Sequence, residues 1–480
     1  MNKTNKKRAH TILTLFICIA LLGAIFFVFS FFRISEKKLG DGKEMEMPVG
    51  EAAKESFVEF ADAKVSVAIA DTPALRAQGL SGVKELPQNS GLLFLLNMPA
   101  FHSFWMKDML IPIDIIWLRG GTVVDVTARA MPEPGKALQD LTIYMPRKEA
   151  DTALEVNAGF AAAHGIKEGM TAHIAVRGEE LSAPLEKSAA APVSGSAFFI
   201  SALRSRERAG NDLKIEKTLA ETEVYTKYLI SYFSDGLKIS GIMNVPKGDA
   251  PKNGFPVLIL NHGLIGKDIY FPGRGSKREQ DFFARHGYVV IHPDYRGLGE
   301  SSDDISAHHD FYVGYSLDVA HLVDAVKERD FDFIDERRIG MWGHSMGGGI
   351  AARVLLLRPE IRAFVFFAPI SADAEDNFYE LTKEEIAWLR ETYGPAGARV
   401  YREISPITYF HLVSSPVQLH HGTADKDVPI SFSENMYTVL KGYGKYVEFF
   451  VYPNEPHEFI KEWPLAAERS LQFFDRYVKE

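Results

Sequence analysis

Hydrophobic patterning changes character along this chain. Over residues 255–261, 288–292, 362–367, 416–421 and 446–451 the side chains are mostly apolar without strict alternation, as in strands covered on both faces. Between two of these runs, residues 311–328 set Val319, Leu322, Val323 and Val326 at the spacing of one helix face. Strand and helix take turns, and the pattern predicts a doubly wound, mostly parallel α/β sheet. Ahead of it, residues 228–233 and 237–242 flank Asp235-Gly236, a pair that predicts a hairpin of edge strands. Residues 371–413 break the rhythm. There Thr382 and Glu385 have the spacing of a capping box opening a helix. An insertion at this point is expected to lie as a lid over the sheet.

Nearer the N-terminus the period shortens. Residues 63–70, 91–95, 113–118, 123–126 and 171–176 read as short strands separated by polar turns, which predicts a small, mostly β, barrel-like domain over residues 55–177. Residues 178–196 are rich in Ala, Ser and Pro without periodicity and read as a linker to a domain over residues 197–480. Residues 11–32 carry no charge. As a helix they would measure about 33 Å, enough for a hydrocarbon core. No small-residue cleavage signal follows before Arg33, so the segment reads as a transmembrane signal anchor behind a basic tail over residues 1–10. Lys3, Lys6, Lys7 and Arg8 on one side are matched by Arg33, Lys37, Lys38 and Lys43 on the other. Charge therefore does not orient the span. Long domains translocate largely regardless of it, and the expected protein is single-pass with its body extracytoplasmic.

A length of 480 residues exceeds what one core usually holds, in keeping with two domains. The net charge of −9, with no basic stripe, excludes nucleic acid as the expected partner. Cys18, the only cysteine, falls inside the span, so no disulfide staples the rest.

The chemistry sits in the C-terminal half. Gly343-His344-Ser345-Met346-Gly347 joins an apolar strand to a run of small residues opening a helix. A serine between glycines at such a turn is the nucleophile elbow of an α/β-hydrolase, where any Cβ on either side would collide with the neighbouring strand and helix. That fold demands an acid and then a histidine further along. Residues 416–421 leave through a loop holding Asp425 and Asp427; Asp425 comes directly off the glycine turn, whereas Asp427 precedes Val-Pro and reads as a cap of the next element. His457 follows the last apolar run on a loop bracketed by prolines. Ser345, Asp425 and His457 thus become the candidate nucleophile, orienting acid and general base. The oxyanion donors are expected to be backbone amides: Met346, after the nucleophile, and Leu264 in the His262-Gly263-Leu264 loop, with Ile265 behind it. Phe378, Tyr379, Trp388 and Tyr393 in the insertion are candidate pocket walls; the plainer reading is that they pack the lid onto the body. His308-His309-Asp310 has no second cluster at ligand spacing, so neither metal nor cofactor is expected.

From about residue 197 onward the chain resembles the prolyl oligopeptidase branch of α/β-hydrolases, the peptidase family S9. The resemblance rests on residues 338–348 around the elbow, on Asp294-Tyr295-Arg296-Gly297-Leu298-Gly299-Glu300-Ser301, on residues 405–410 and on His421-Gly422-Thr423-Ala424-Asp425. It implies the same assignment of Ser345, Asp425 and His457. The family's full-length peptidases carry a β-propeller, and no repeat of propeller length is present. The preceding β unit resembles the family called DUF192 through Arg76-Ala77-Gln78-Gly79-Leu80, Phe104-Trp105-Met106-Lys107-Asp108, Ile111-Pro112-Ile113-Asp114 and Leu154-Glu155-Val156-Asn157-Ala158-Gly159. That likeness implies a fold and no chemistry. Arg76, Lys107, Asp114 and Glu155 are charged residues that would line a cleft if they converged; at strand ends such residues are more often structural. Trp105 and Met106 read as core.

The expected protein is a membrane-anchored serine hydrolase acting on a peptide or ester acyl bond through an acyl-enzyme. A general carboxylesterase and a non-catalytic envelope binding or assembly protein remain the alternatives.

Overall fold

The computed structural model describes residues 56–480 apart from 137, 178, 181–195, 207–210, 304–310 and 330. The basic tail, the expected anchor over residues 11–32, the His308-His309-Asp310 loop and most of the linker lie outside the described residues. Among those described, no helix is long and apolar enough to cross a membrane.

The C-terminal domain is built on nine strands: β1 Asn211–Glu221, β2 Tyr225–Ser234, β3 Leu237–Pro246, β4 Phe255–Asn261, β5 Val289–Pro293, β6 Ile334–His344, β7 Ala363–Phe367, β8 Val417–Gly422 and β9 Val447–Tyr452. They are ordered β1-β2-β3-β5-β4-β6-β7-β8-β9. From β5 to β9 all neighbours are parallel, while β1, β2 and β3 add an antiparallel flank. The crossovers run through α1 Lys277–Arg285, α2 Val313–Glu328, α3 Met346–Leu357 and α5 Ile430–Gly442, with α4 Lys383–Tyr393 inside the insertion and α6 Trp463–Phe474 following the last strand. Continuous apolar runs now have their cause. In β4, Val257 and Ile259 join the core under α2 and α3, whereas Leu258 and Leu260 join the opposite core with Phe283 and Phe474. Each such side chain, fully buried, contributes roughly 1.5–3 kcal/mol of transfer free energy.

The expected hairpin forms, with Asp235 at φ 49° and Gly236 at φ 81°, both positive as a type I′ turn requires. Its strands are not edges, however. The eleven residues of β1 pair outside β2, and β3 continues into β5. Within β1 only Leu213 is buried, so solvent-facing polar residues mask the strand signal in sequence.

The insertion folds as a 3-10 helix Glu375–Glu380, α4, a short helix Arg399–Ile404 and a second 3-10 segment. Phe378, Leu389, Val400, Tyr401 and Ile404 give it a small core of its own, shared with Phe199. The expected capping box is present: the Thr382 hydroxyl accepts from the Glu385 amide at 3.2 Å, and the Glu385 carboxylate accepts from the Thr382 amide at 2.8 Å.

The N-terminal domain has an eight-stranded sheet and a small two-stranded one that pairs Phe104–Trp105 with Ile143–Tyr144. Its outer strand Thr122–Ala130 returns to the loop ahead of His173–Val176, where the Val123 amide donates to the Met170 carbonyl at 2.8 Å and Ala172 to Gly121 at 2.7 Å. The sheet therefore curls toward closure, as the short strands predict. Strands Phe57–Phe60 and Ala150–Asn157 complete it. Asp114, fully buried, accepts hydrogen bonds from the amides of Arg129, Gly159 and Ala161 and is structural. This domain docks on the hydrolase through Arg76, 3.1 Å from Asp376, through Lys107 bonded to Glu434, and through Phe101 against Tyr443.

Candidate active site

Strand β6 runs straight into α3, and the turn between them leaves Ser345 at φ 56°, ψ −125°. Non-glycine residues reach that conformation only where the surroundings impose it. Here they do. A Cβ on Gly347 would stand 2.1 Å from the Asn261 carbonyl oxygen at the end of β4, and one on Gly343 would stand 2.4 Å from the Gly347 carbonyl. Only glycine allows strand and helix to come so close. The Ser345 amide donates to Phe367 at the end of β7, at 3.0 Å, and its carbonyl accepts from Gly348 and Ile370. The hydroxyl is thereby held up at the carboxyl edge of the sheet.

Asp425 and His457 meet from the loops after β8 and β9. His457 Nδ1 donates to Asp425 Oδ2 at 2.7 Å. The Asp425 side chain is 1% exposed, yet every approach is occupied. Oδ1 accepts from the amides of Asp427 and Val428 at 2.9 and 2.8 Å, and Oδ2 also faces His421 Nε2 at 3.2 Å. Burial alone would raise its pKa; the donors from His421, His457 and Val428 reverse this and hold the carboxyl well below the usual carboxylate range. For His457 burial works downward, but the Asp425 hydrogen bond and charge overcome it, leaving the imidazole above its ordinary value of 6.5. With Nδ1 committed to Asp425, Nε2 is the nitrogen left to act as a base. Asp427 is exposed and stands clear of His457's hydrogen bond, but it does not cap the next helix: the N-cap of α5 is Pro429, with no side-chain cap bond.

Two histidines that sequence reasoning set aside or passed over support this pair. His421 Nε2 faces only acceptors, Asp425 Oδ2 at 3.2 Å and the Val428 carbonyl at 3.1 Å, so Nε2 carries the proton, while Nδ1 meets the Ser433 hydroxyl at 2.7 Å. His344, beside the nucleophile, donates from Nε2 to the His457 carbonyl at 3.1 Å, and the two rings lie 4.5 Å apart. Burial and the neighbouring His457 push the His344 pKa down to about 3, so this tie survives across physiological pH. It pins the base-bearing loop to the elbow. The position of His421 four residues before Asp425 was the legible signal.

Among the described residues no hydrogen bond joins Ser345 Oγ to His457; such contacts in unliganded sites commonly tighten only with substrate. The expected oxyanion donors lie beside the serine. A Cβ on Gly263 would be 3.1 Å from Ser345 Cβ, so the 263–264 loop abuts the nucleophile, and neither the Leu264 nor the Met346 amide has a partner among the described residues. Asp425, Asp427 and His457 bring possible ligand atoms within 4.8 Å of one another. Both oxygens of Asp425 already accept hydrogen bonds, so a cation there would have to displace the contacts that orient His457.

Under the insertion lies a cavity of about 350 Å³ lined by Phe311, Tyr312, Arg353, Phe378 and Trp388 among others. Gly349 and Ile370 carry its wall to within a residue or two of the elbow, though Ser345 and His457 do not line it. Phe378 and Trp388 are thus wall residues as expected. Tyr393 is not: its ring backs the wall, 6.0 Å from Trp388 and 5.4 Å from Phe311. The backbone of Tyr379 belongs to the 3-10 helix Glu375–Glu380, and its side chain lies outside the described residues.

Residues 275–480 match the family described as the prolyl oligopeptidase family, and residues 57–174 match DUF192, described as uncharacterized. The uncharacterized peptidase YtmA of Bacillus subtilis is 26% identical over 240 residues, which cover 48% of this chain and 86% of that protein. A second uncharacterized peptidase of the same organism, YuxL, is 26% identical over 230 residues, and there the chain spans only 34% of the relative's length. Among solved structures, an acetyl xylan esterase from Paenibacillus sp. R4 aligns with 21% identity and a TM-score of 0.46, covering 58% of this chain and 92% of that one. The chain is a serine hydrolase in which a domain of the prolyl oligopeptidase family follows a DUF192 domain.

Proposed function

We propose that this hydrolase is a membrane-anchored serine peptidase that cleaves peptide acyl bonds through an acyl-enzyme, with Ser345 as nucleophile, His457 as base and Asp425 as its orienting acid. The observation that carries the reading is the 2.7 Å bond from His457 Nδ1 to a buried carboxylate, on a loop tied to His344 beside the elbow serine. His457 Nε2 takes the Ser345 proton as Oγ bonds to the substrate carbonyl carbon. The oxyanion settles on the Leu264 and Met346 amides, and the proton passes to the leaving nitrogen as its bond to carbon breaks. Water then attacks the ester, giving its proton to His457, and Ser345 is restored. The cavity behind the elbow is apolar and suits the acyl-side residue.

An esterase reading is favoured by one feature: a small β domain built on a curled eight-stranded sheet, not a ring of radial blades, precedes the hydrolase among the described residues. The uncharged run over residues 11–32 supports an anchor with the body outside the cytoplasm. A membrane-impermeant fluorophosphonate probe tests site and sidedness together. It should label wild type, and not Ser345→Ala, in intact spheroplasts. Labelling of Ser345→Ala would remove Ser345 as nucleophile, and labelling only after lysis would place the body inside. Turnover of aminoacyl anilides above short-chain nitrophenyl esters is the outcome expected of a peptidase; the reverse makes it an esterase.

A further inference from the structure

A second cavity, of about 170 Å³, lies where the β domain meets the hydrolase, and nothing in the catalytic reading uses it. A cavity of about 150 Å³ is enough to admit benzene. The β-domain side supplies Phe94 and Phe104, whose rings are 4.7 Å apart, and the carboxyl of Glu155; the hydrolase side supplies Asp373 and Asp376.

Glu155 is the unusual member. It is 5% exposed, it lines the cavity, and neither oxygen has a hydrogen-bond partner among the described residues, Oε2 being fully buried. A buried polar group without a partner is costly, of the order of 1–3 kcal/mol and more when charged. The nearby hydroxyl of Ser103 is likewise buried and unpartnered. Charges around the cavity do not balance. Arg76 pairs with Asp376 and its charge also acts on Asp373, and Lys107 pairs with Glu434, which leaves Glu155 as the cavity carboxyl with no cation beside it among the described residues. An acidic, partly aromatic hollow with an unsatisfied carboxyl is complementary to a cation with an apolar body.

We propose that this interdomain cavity is a binding site for a small organic cation, its ammonium group on Glu155 and its apolar part on Phe94 and Phe104. The site is separate from the Ser345 machinery and stands whether or not the peptidase reading does. Burial pushes the empty site's Glu155 up to about 8, so binding the cation expels a proton below that pH.

The test is calorimetric titration of the full-length protein with benzylammonium chloride, beside benzyl alcohol and benzoate as neutral and anionic isosteres. One saturable site is expected for benzylammonium, tightening as pH rises toward 8 with proton release, weakened at least tenfold in Glu155→Gln and unchanged in Ser345→Ala. Equal binding by Glu155→Gln, equal or tighter binding of either isostere, or no saturable binding of benzylammonium would each overturn the proposal. Should Glu155→Gln fail to fold, Asp373→Asn serves: it must weaken benzylammonium while leaving benzyl alcohol unaffected, and an unaltered benzylammonium affinity counts against the site.

Discussion

Asp425 and Glu155 are both carboxyls withdrawn almost completely from water, one at the catalytic edge of the hydrolase sheet and one inside the β domain. Their environments drive them in opposite directions. Asp425 accepts from two backbone amides and faces two imidazoles, and its pKa falls. Glu155 accepts from nothing, and burial alone lifts it from 4.5 to about 8. Burial therefore does not decide the charge of a group; the number of donors brought to it does. The hydrolase domain brings those donors itself because its acid must stay ionised beside an imidazolium. The β domain leaves its acid unsatisfied, which is the mark of a position completed by something else.

The largest effect should come from making Asp425 resemble Glu155 in losing its charge. Asp425→Asn keeps the shape but replaces an acceptor that fixes the His457 tautomer with an amide, and kcat/KM should fall by about 10⁴-fold. The pH profile carries the sign. The working base is neutral His457, so wild-type kcat/KM declines as pH falls through a pKa held above 6.5 by Asp425. Without the carboxylate the lowering by burial, the largest influence, is opposed only by the weaker charges of Asp427 and Glu458, so the residual activity's acid limb should move to lower pH. A pH–rate profile whose acid limb does not move would separate Asp425 from His457.

Relieving Glu155 should have a smaller effect, read in stability. Its folded pKa is raised, so the penalty is absent below 4.5, grows as pH climbs toward about 8, and is fully present above that. At about 1.4 kcal/mol per pH unit the total is of the order of a few kcal/mol. Glu155→Gln should therefore melt with wild type near pH 4.5 and progressively above it up to pH 8, the difference then levelling. Thermal melts that diverge most at low pH would invert the sign and remove the comparison's basis.

What was legible in sequence divides along the same line. Strands β4, β5, β7, β8 and β9 are legible as mostly apolar runs, because most of their residues are buried, while β6 is legible through the elbow that ends it. Ser345 was read from glycines whose necessity is local: Gly347 has no room for a methyl group beside Asn261. By contrast β1 was missed because an exposed edge strand carries little apolar signal. Arg76 and Lys107 were noticed as charged residues without a destination; their partners Asp376 and Glu434 lie 300 and 327 positions away, and only the fold brings them together. Glu155 sits between Leu154 and Val156 in a strand that also carries Asp151, Thr152 and Asn157, which gives no hint of a cavity shared with another domain. Tyr393 was placed one layer too far forward, since sequence spacing on a helix cannot distinguish a ring that lines a wall from one that props it.

The smallest effect, and the finest separation, concerns His421. Removing its ring nitrogens takes one donor from Asp425 but leaves Oδ1 on the amides of Asp427 and Val428, so the carboxylate should stay roughly in place. His421→Phe, made together with Ser433→Ala so that no buried hydroxyl is stranded, should lower kcat/KM by about tenfold, or about 1.4 kcal/mol. Its pH signature should oppose that of Asp425→Asn. With one donor fewer, the negative charge on Oδ2 acts more fully on His457, the imidazolium gains stability, and the acid limb moves to higher pH. A merely structural role for His421 predicts lost activity with an unmoved limb, and a limb moving downward would mean that His421 holds the carboxylate in place instead of sharing its charge.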